Sequence, residues 1–388
     1  MKSNWQPIRR QGQLTLLLLF SIFLVSCSSQ PDQVSARVFG GAAQSIEGFQ
    51  RADNSQVLAF PDDFGPHPEF LTEWWYYTGN LETDAGRPFG YQLTFFRRAL
   101  TPPNEVSERL SPWASDQVYF AHFAISDIAA NEHHSFEHFT RGAAGLAGAQ
   151  SVPYAVWLEN WHVEGTGIDQ YRLFASQDGI SVQLDLTDEK GPVLQGLDGY
   201  SQKGPEAGNA SYYYSQTRLT SSGTIAIKGR EFAVSGQSWK DHEYSTSVLS
   251  DGLVGWDWFS LQLDDGSEVM LYQLRYADGR VGEFSSGTLI SPEGDTTPLS
   301  QNDFEIVVQA TWRSPHSEAV YPAAWTLRIP QAKLNLNISP RMADQEMLVS
   351  FIYWEGAINV EGDSNGMAVD GTGYVELTGY ANSLEGEF

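Results

Sequence analysis

Short runs of aromatic and β-branched residues, separated by turn residues, follow one another from Val57 onward. Examples are WWYYTGNLE (74–82), FGYQLTFFR (89–97) and QVYFAHFAIS (117–126). Such runs, bounded by Gly, Pro, Asn or Asp, are typical of β-strands, and helical periodicity is scarce. The 36 glycines and the 13% of aromatic residues also suit tight turns and pleated sheets. We therefore predict an all-β fold of mostly antiparallel strands.

The chain contains an internal repeat. Residues 223–241 match residues 356–376: both read Gly-x-Ile-x-(Ile/Val)-x-Gly, then Ala-Val-x-Gly, then an aromatic residue two positions before a carboxylate. Tyr-Gln-Leu also recurs, at 91–93 and 272–274. A period this long indicates two related β domains rather than a solenoid.

The first residues have the layout of a secretory signal. Three basic residues precede an apolar run from Leu14 to Val25, and the single cysteine, Cys27, follows. The run is too short to span a bilayer as a helix. The position of Cys27 resembles a bacterial lipoprotein box, although an ordinary signal peptide with a chance cysteine has the same layout. By resemblance to Gram-negative lipoproteins, Ser28 favours the outer membrane, facing the periplasm.

These features predict four segments. They are a signal peptide (1–26), a lipidated N-terminus and tether (27–51), a first domain (52–247) and a second domain (248–388). The formal net charge is −25. Because little basic surface is available to neutralise phosphates, nucleic acid is excluded as a partner.

Several stretches carry a family resemblance. GPHPEFLTEWWYYTGNLE (65–82), LQGLDGYSQKG (194–204) and GQSWKDHEYSTS (236–247) resemble the AttH/carotenoid 1,2-hydratase family. The resemblance runs from about Pro61 to the end. It implies two tandem lipocalin-like, calycin-type antiparallel β-barrels. Known members include enzymes that add water to a terminal isoprenoid double bond, whereas many lipoprotein members have no assigned reaction.

Residues 235–244 (SGQSWKDHEY) carry the densest candidate chemistry. In a regular strand, alternation places two sets of side chains on opposite faces: Trp239, Asp241 and Glu243 on one, and Lys240, His242 and Tyr244 on the other. Neighbouring carboxylates repel, so that in a desolvated site one retains its proton near neutral pH. Protonating an alkene needs such an acid, and an aromatic face stabilises the carbocation. A polar barrel rim would use the same residues.

The internal repeat helps to decide between a catalytic site and a polar barrel rim. Tyr374 and Glu376 stand in the second copy where Trp239 and Asp241 stand in the first. That recurrence suggests a structural role for the aromatic residue and the acid, and it makes His242 and Glu243, which have no counterparts, the stronger functional candidates. The predicted catalytic residues are Asp241, His242 and Glu243.

Aromatic and polar residues of several strands are predicted to line a ligand pocket, although core packing is the alternative for each. They are Trp239, Glu73, Trp75, Tyr76, Tyr213, Tyr214 and Trp258. The cluster NEHHSFEH (131–138) would bring His134 and His138 together only in a helix, which its surroundings do not favour. No metal and no cofactor are therefore expected.

The sequence thus predicts a membrane-anchored lipoprotein that binds or handles a hydrophobic, lipid- or isoprenoid-like ligand, with an envelope transporter as a possible partner. Two alternatives remain open. One is a cofactor-free hydratase or isomerase with Asp241 or Glu243 as the acid and His242 positioning water. The other is a non-catalytic envelope interaction module.

Overall fold

The computed structural model describes residues 1–2, 46–105, 111, 113–246 and 249–385. The predicted signal segment from residue 3 onward, Cys27 and the expected domain boundary at residues 247 and 248 lie outside these residues. Within the described part of the chain, no helix is long and apolar enough to cross a membrane.

The described residues form two antiparallel sheets, one of 13 strands and one of 10. The first sheet contains β1 (Thr72–Glu82), β2 (Pro88–Ala99), β3 (Gln117–Asp127), β4 (Glu132–Arg141), β5 (Ala147–Gln150), β6 (Ala155–Leu158), β7 (Trp161–Gly167), β8 (Gln170–Gln177), β9 (Ile180–Asp188), β10 (Pro192–Leu194), β11 (Tyr200–Gln202), β12 (Ala210–Ile227) and β13 (Arg230–Ser245). The second contains β14 (Leu253–Leu263), β15 (Glu268–Tyr276), β16 (Ser286–Ile290), β17 (Thr296–Ser300), β18 (Glu305–Arg313), β19 (Val320–Ile329), β20 (Leu334–Pro340), β21 (Glu346–Met347), β22 (Tyr353–Ser364) and β23 (Met367–Leu377). Short 3₁₀ turns lie at Asp62–Phe64, Pro103–Glu105 and Pro330–Ala332.

Each sheet curls around its own apolar core into a barrel or half-barrel. Alternation of buried and exposed positions is clearest in β9, where every second residue from Ile180 to Asp188 is buried. The prediction of an all-β protein with two lipocalin-like barrels is confirmed.

The centres of the two sheets have equivalent strand orders. The order β2-β1-β13-β12 in the first sheet corresponds to β15-β14-β23-β22 in the second. The repeated sequence segments form the hairpins β12–β13 and β22–β23. The repeat therefore reflects a shared supersecondary unit.

The two barrels pack against each other through the outer faces of these central strands. Strand β1 illustrates the arrangement, since Trp75 and Tyr77 belong to the first core, whereas Tyr76 joins a third cluster that includes Trp258 of the second sheet. Aromatic residues occupy both faces of β1 because both are covered.

Candidate active site between the two barrels

A pocket of about 130 Å³ lies between the barrels. Its lining is largely aromatic, with carboxylates contributed by both sheets. The lining residues are Thr72, Trp74, Tyr76, Thr94, Phe96, Lys203, Ser211, Tyr213, Asp241, Glu243, Ser245, Leu249, Trp256, Trp258, Tyr272, Leu274, Phe351 and Glu376.

Strand β13 supplies two of the pocket's carboxylates. Asp241 and Glu243 line the pocket, and Trp239 packs edge-on against Trp258 with ring centroids 6.3 Å apart. These three side chains share the face that points to the second barrel, as the predicted alternation requires.

The Asp241 carboxyl group is almost completely enclosed by donors. Its Oδ1 accepts hydrogen bonds from Trp239 Nε1 (2.7 Å) and Ser215 Oγ (2.5 Å), and its Oδ2 accepts one from Tyr213 Oη (2.6 Å). Burial raises the pKa of Asp241 to about 7; the three donors oppose this rise, and the negative charge of Glu243 adds to it. Asp241 can therefore hold or release a proton at neutral pH.

The second sheet contributes an equivalent carboxylate. Glu376 of β23 accepts a 2.7 Å hydrogen bond from Trp256 Nε1. Burial, together with the negative charges of Asp241 and Glu243, raises the pKa of Glu376 to about 7. The repeated acids thus meet in one pocket, although their recurrence had suggested a structural role. The matched positions of the two acids in the repeat were the signal that could have linked them. Only the tertiary structure shows that the two equivalent hairpins face each other.

Glu243 has a different environment. Lys203 Nζ lies 3.2 Å from Glu243 Oε1, and Ser211 Oγ donates to the same oxygen. The ammonium group of Lys203 also lies 3.9 Å from the ring centroid of Tyr272. Lys203 thus holds Glu243 in a salt bridge at the edge of the pocket. Sequence reasoning had missed Lys203.

Tyr76 and Trp258 connect the two barrels at the pocket wall. Tyr76 Oη donates a 2.6 Å hydrogen bond to Glu355 Oε1 of β22, and the rings of Tyr76 and Trp258 meet edge-on at 5.1 Å. Trp258 Nε1 donates to Tyr213 Oη at 3.1 Å. The predicted ligand residues Tyr76, Tyr213 and Trp258 therefore lie together at the pocket.

Other predicted site residues point the opposite way, into the first barrel. His242 stacks on Trp75 with centroids 4.8 Å apart, its Nε2 lies 2.8 Å from Glu73 Oε1, and Tyr214 Oη lies 2.9 Å from its Nδ1. Burial lowers the pKa of His242 to about 4, so at neutral pH Nε2–H donates to Glu73 and Nδ1 accepts from Tyr214. Glu73, Trp75, Tyr214 and His242 do not line the pocket, because successive side chains of a strand alternate between its faces.

These inward residues include a set with metal-ligand atoms close together: His67, Glu73 and His242. His67 donates from Nδ1 to Glu73 Oε1 (2.8 Å) and from Nε2 to Asp63 Oδ1 (2.9 Å), while Arg97 Nε donates to Glu73 Oε2 (2.7 Å). Although burial opposes it, the carboxylates of Glu73 and Asp63 raise the pKa of His67 to about 9. In this protonation state both ring nitrogens of His67 are donors, and they are already paired with Glu73 and Asp63. The two cations, His67 and Arg97, balance the charges of the two carboxylates, Glu73 and Asp63. This balance is typical of a buried ion network.

The histidine cluster at 131–138 lies on β4 and in the turn before it. His133 Nδ1 pairs with Ser126 Oγ at 2.9 Å, and His138 stacks on Trp161 at 4.2 Å. The strand separates the histidines, so they form no shared ligand set within the described residues.

Fold and site together define a two-barrel, lipocalin-like protein with an aromatic, carboxylate-bearing pocket between its barrels. The chain belongs to the AttH-like family, whose sequence profile matches residues 51–380. The family resemblance found in the sequence is confirmed.

Two solved structures show the same architecture. One is a Nitrosomonas europaea protein described as AttH: it is 34% identical with a TM-score of 0.75, and the match covers 86% of this chain and 100% of that one. The other is kievitone hydratase from Nectria haematococca, which is 16% identical with a TM-score of 0.63 over 87% of this chain and 97% of that one. No curated protein sequence matches this chain.

Proposed function

We propose that the protein is a cofactor-free hydro-lyase that adds water to an isoprenoid-like C=C bond, or removes it, in the pocket between the barrels. The observation that carries the proposal is Asp241, a buried carboxyl group with a pKa of about 7 beside aromatic rings. General acids work best when their pKa lies near the operating pH. The AttH-like family and the shared fold of a protein named kievitone hydratase support this reaction class.

The protonated Asp241 transfers its proton to one alkene carbon, and the π electrons form the new C–H bond. The cation left on the other carbon is stabilised by the rings of Trp258 and Tyr76, which line the pocket. Water attacks that carbon, and its surplus proton passes to the Glu376 carboxylate. The product has gained one water, and transfer of the proton from Glu376 to Asp241 restores the starting state.

The carboxylates of Asp241 and Glu376 are mutually dependent. Each ionised group raises the cost of ionising its neighbour, since the negative charge of Asp241 raises the pKa of Glu376. Near neutral pH the pair therefore holds about one proton, which suits an acid and a base acting in one cycle.

Citronellol, an alcohol with one trisubstituted dimethyl-alkene, is a suitable probe for the full-length chain. We expect mass spectrometry to detect a tertiary alcohol heavier by one water. Asp241→Asn and Glu376→Gln should each lower turnover by about 100-fold or more, because each removes a proton-transfer group. Binding, followed by quenching of the pocket tryptophans, should persist.

The control is Asp278→Asn, which changes a fully exposed acid and should leave turnover unchanged. Full turnover by Asp241→Asn would rule out this mechanism.

A carrier of hydrophobic ligands is the second candidate, favoured by the apolar side chains Leu249, Leu274 and Phe351 in the pocket lining. The same mass spectrometry, applied to a lipid extract of the expressing host, distinguishes the two. A carrier retains an unchanged lipid, whereas an empty, inactive protein favours an envelope interaction module.

For either function, we propose that a lipid on Cys27 anchors the protein at an outer membrane. An envelope transporter is the proposed partner there. The anchoring rests on the resemblance of the N-terminal segment to a lipoprotein signal. Membrane fractionation of Cys27→Ser tests it: the variant should leave the membrane fraction, and unchanged retention would contradict lipidation at this residue.

A further inference from the structure

Three buried polar atoms lie behind one wall of the pocket without a hydrogen-bond partner among the described residues. They are Thr78 Oγ1, Gln92 Oε1 and Glu355 Oε2. Thr78 is 0% exposed, and Gln92 and Glu355 are each 1% exposed. Buried polar groups in native proteins are nearly always paired with protein or with ordered water.

The three residues are neighbours. Thr78 and Gln92 face each other in the register of β1 and β2, which brings their side chains together on one face. On that face Gly90 abuts Ala357, and Phe96 meets Phe351 at 6.5 Å. Along β2, Gln92 lies between Gly90 and Phe96. Along the chain of the second barrel, Glu355 lies between Phe351 and Ala357, the residues that contact Phe96 and Gly90. Gln92 and Glu355 therefore lie on the segments of the two barrels that face each other.

The remaining polar atoms of these side chains are already engaged. Gln92 Nε2 donates to Thr94 Oγ1, and Glu355 Oε1 accepts from Tyr76 Oη. These contacts leave Gln92 Oε1 and Glu355 Oε2 as the oxygens without a partner among the described residues. Burial and the negative charge of Glu376 raise the pKa of Glu355 well above its ordinary value, which favours a protonated carboxyl group that can donate from Oε2.

We propose that Thr78, Gln92 and Glu355 bind an ordered water, and that this site supplies the water added to the alkene. The role of the site in supplying water rests on the proposed hydro-lyase function. The water accepts from the Glu355 hydroxyl and donates to Gln92 Oε1 and Thr78 Oγ1. One lone pair of the water is then without a partner in the site.

The water site adjoins the reaction pocket. Tyr76 and Thr94, whose polar atoms bond Glu355 and Gln92, both line the pocket. The proposed route of the water runs from the site past these two side chains into the pocket. After attack, the water's surplus proton passes to Glu376.

A crystal structure of the full-length chain tests the site itself. We expect a water within about 3.2 Å of all three atoms, and its loss in Thr78→Val, which keeps the side-chain shape but removes the hydroxyl group. Direct pairing of Gln92 with Glu355, with no water between them, would overturn the site.

Product partition in D₂O tests the role. With citronellol, proton transfer from Asp241 followed by water attack gives a deuterated alcohol, whereas proton loss from the cation gives deuterated alkene. Thr78→Val should lower the alcohol-to-alkene ratio by about tenfold, if removing one hydrogen bond weakens water binding by the usual amount. Total deuterium incorporation should stay near that of the wild type.

Thr288→Val is the matched control, because Thr288 is also buried with an unpartnered hydroxyl, on β16 away from the pocket. An equal ratio in Thr78→Val and Thr288→Val would overturn the role of the site. If the wild type yields neither alcohol nor deuterated alkene, the hydro-lyase function fails and the role fails with it, while the crystallographic water still decides the site.

Discussion

The Asp241 carboxyl group combines three hydrogen bonds with a pKa of about 7. Donors ordinarily lower the pKa of a carboxyl group, so burial must dominate here. The folded state binds the Asp241 proton more tightly than an unfolded chain, in which the pKa is near the ordinary 3.8. Stability contributed by this proton is present below about pH 4 and is lost as the pH rises to about 7.

Asp241→Asn should therefore reduce the pH dependence of stability. The Asn oxygen accepts the bonds from Trp239 and Ser215, whereas the Asn amide, at the position where Oδ2 accepts from Tyr213, donates to the Tyr213 oxygen instead. Between pH 4 and pH 8 the free energy of unfolding of the variant should rise, relative to that of the wild type, by roughly 2–4 kcal/mol. Urea unfolding at both pH values measures this difference, and parallel pH profiles would mean that Asp241 is ionised in the folded wild type.

At the scale of the element, β13 serves two regions at once. Its outward face presents Asp241 and Glu243 to the pocket, and its inward face presents His242 to the ion network inside the first barrel. The predicted catalytic triplet is thus divided between the pocket and the barrel interior. His242 lies on the same strand as Asp241 and Glu243, but it does not line the pocket that they line.

His242→Gln tests this division. The glutamine amide can still donate to Glu73, but the hydroxyl proton of Tyr214 loses its acceptor, and a buried donor left unpaired costs about 1–3 kcal/mol. We expect a lower free energy of unfolding with turnover of citronellol close to that of the wild type, measured well below the unfolding transition. A 100-fold loss of turnover at unchanged stability would instead assign His242 to the reaction.

For the whole molecule, the decisive feature is how closely the barrels dock. Gly90 of β2 leaves no room for a side chain: a Cβ there would lie 2.6 Å from Tyr374 Oη and 2.9 Å from Ala357 Cβ. Buried ion pairs join the barrels as well, since Glu268 of the second bonds Lys190 and Arg218 of the first at 2.7 and 2.6 Å. This docking sets the distance between Asp241 and Glu376.

Gly90→Ala should push the barrels apart. Overpacking of this kind costs about 1–3 kcal/mol, and turnover should fall by more than the unfolded fraction explains, because the two acids separate. Calorimetry and turnover on one preparation measure both effects. Gly165→Ala is the control, since a Cβ there crowds only Tyr154 of the same barrel, at 3.3 Å, and not the second barrel; equal losses of turnover in both variants would contradict the role of the docking distance.

The sequence by itself determined the all-β class, the family, the repeat and the two faces of residues 239–244. All of these follow from local patterns: strand alternation is a property of the backbone, and turn residues mark strand ends. It also pointed to Asp241, Tyr76, Tyr213 and Trp258, which line the pocket.

Tertiary structure alone decided which residues share the pocket. Asp241 and Glu376 are separated by more than a hundred residues and meet only because two equivalent hairpins dock face to face. The neutral-range pKa of each acid arises from the desolvation that docking produces, and the neighbours Thr78, Gln92 and Glu355 are assembled by the same contact. Burial between two sheets depends on how their surfaces fit, and the pattern along a single strand does not contain that information.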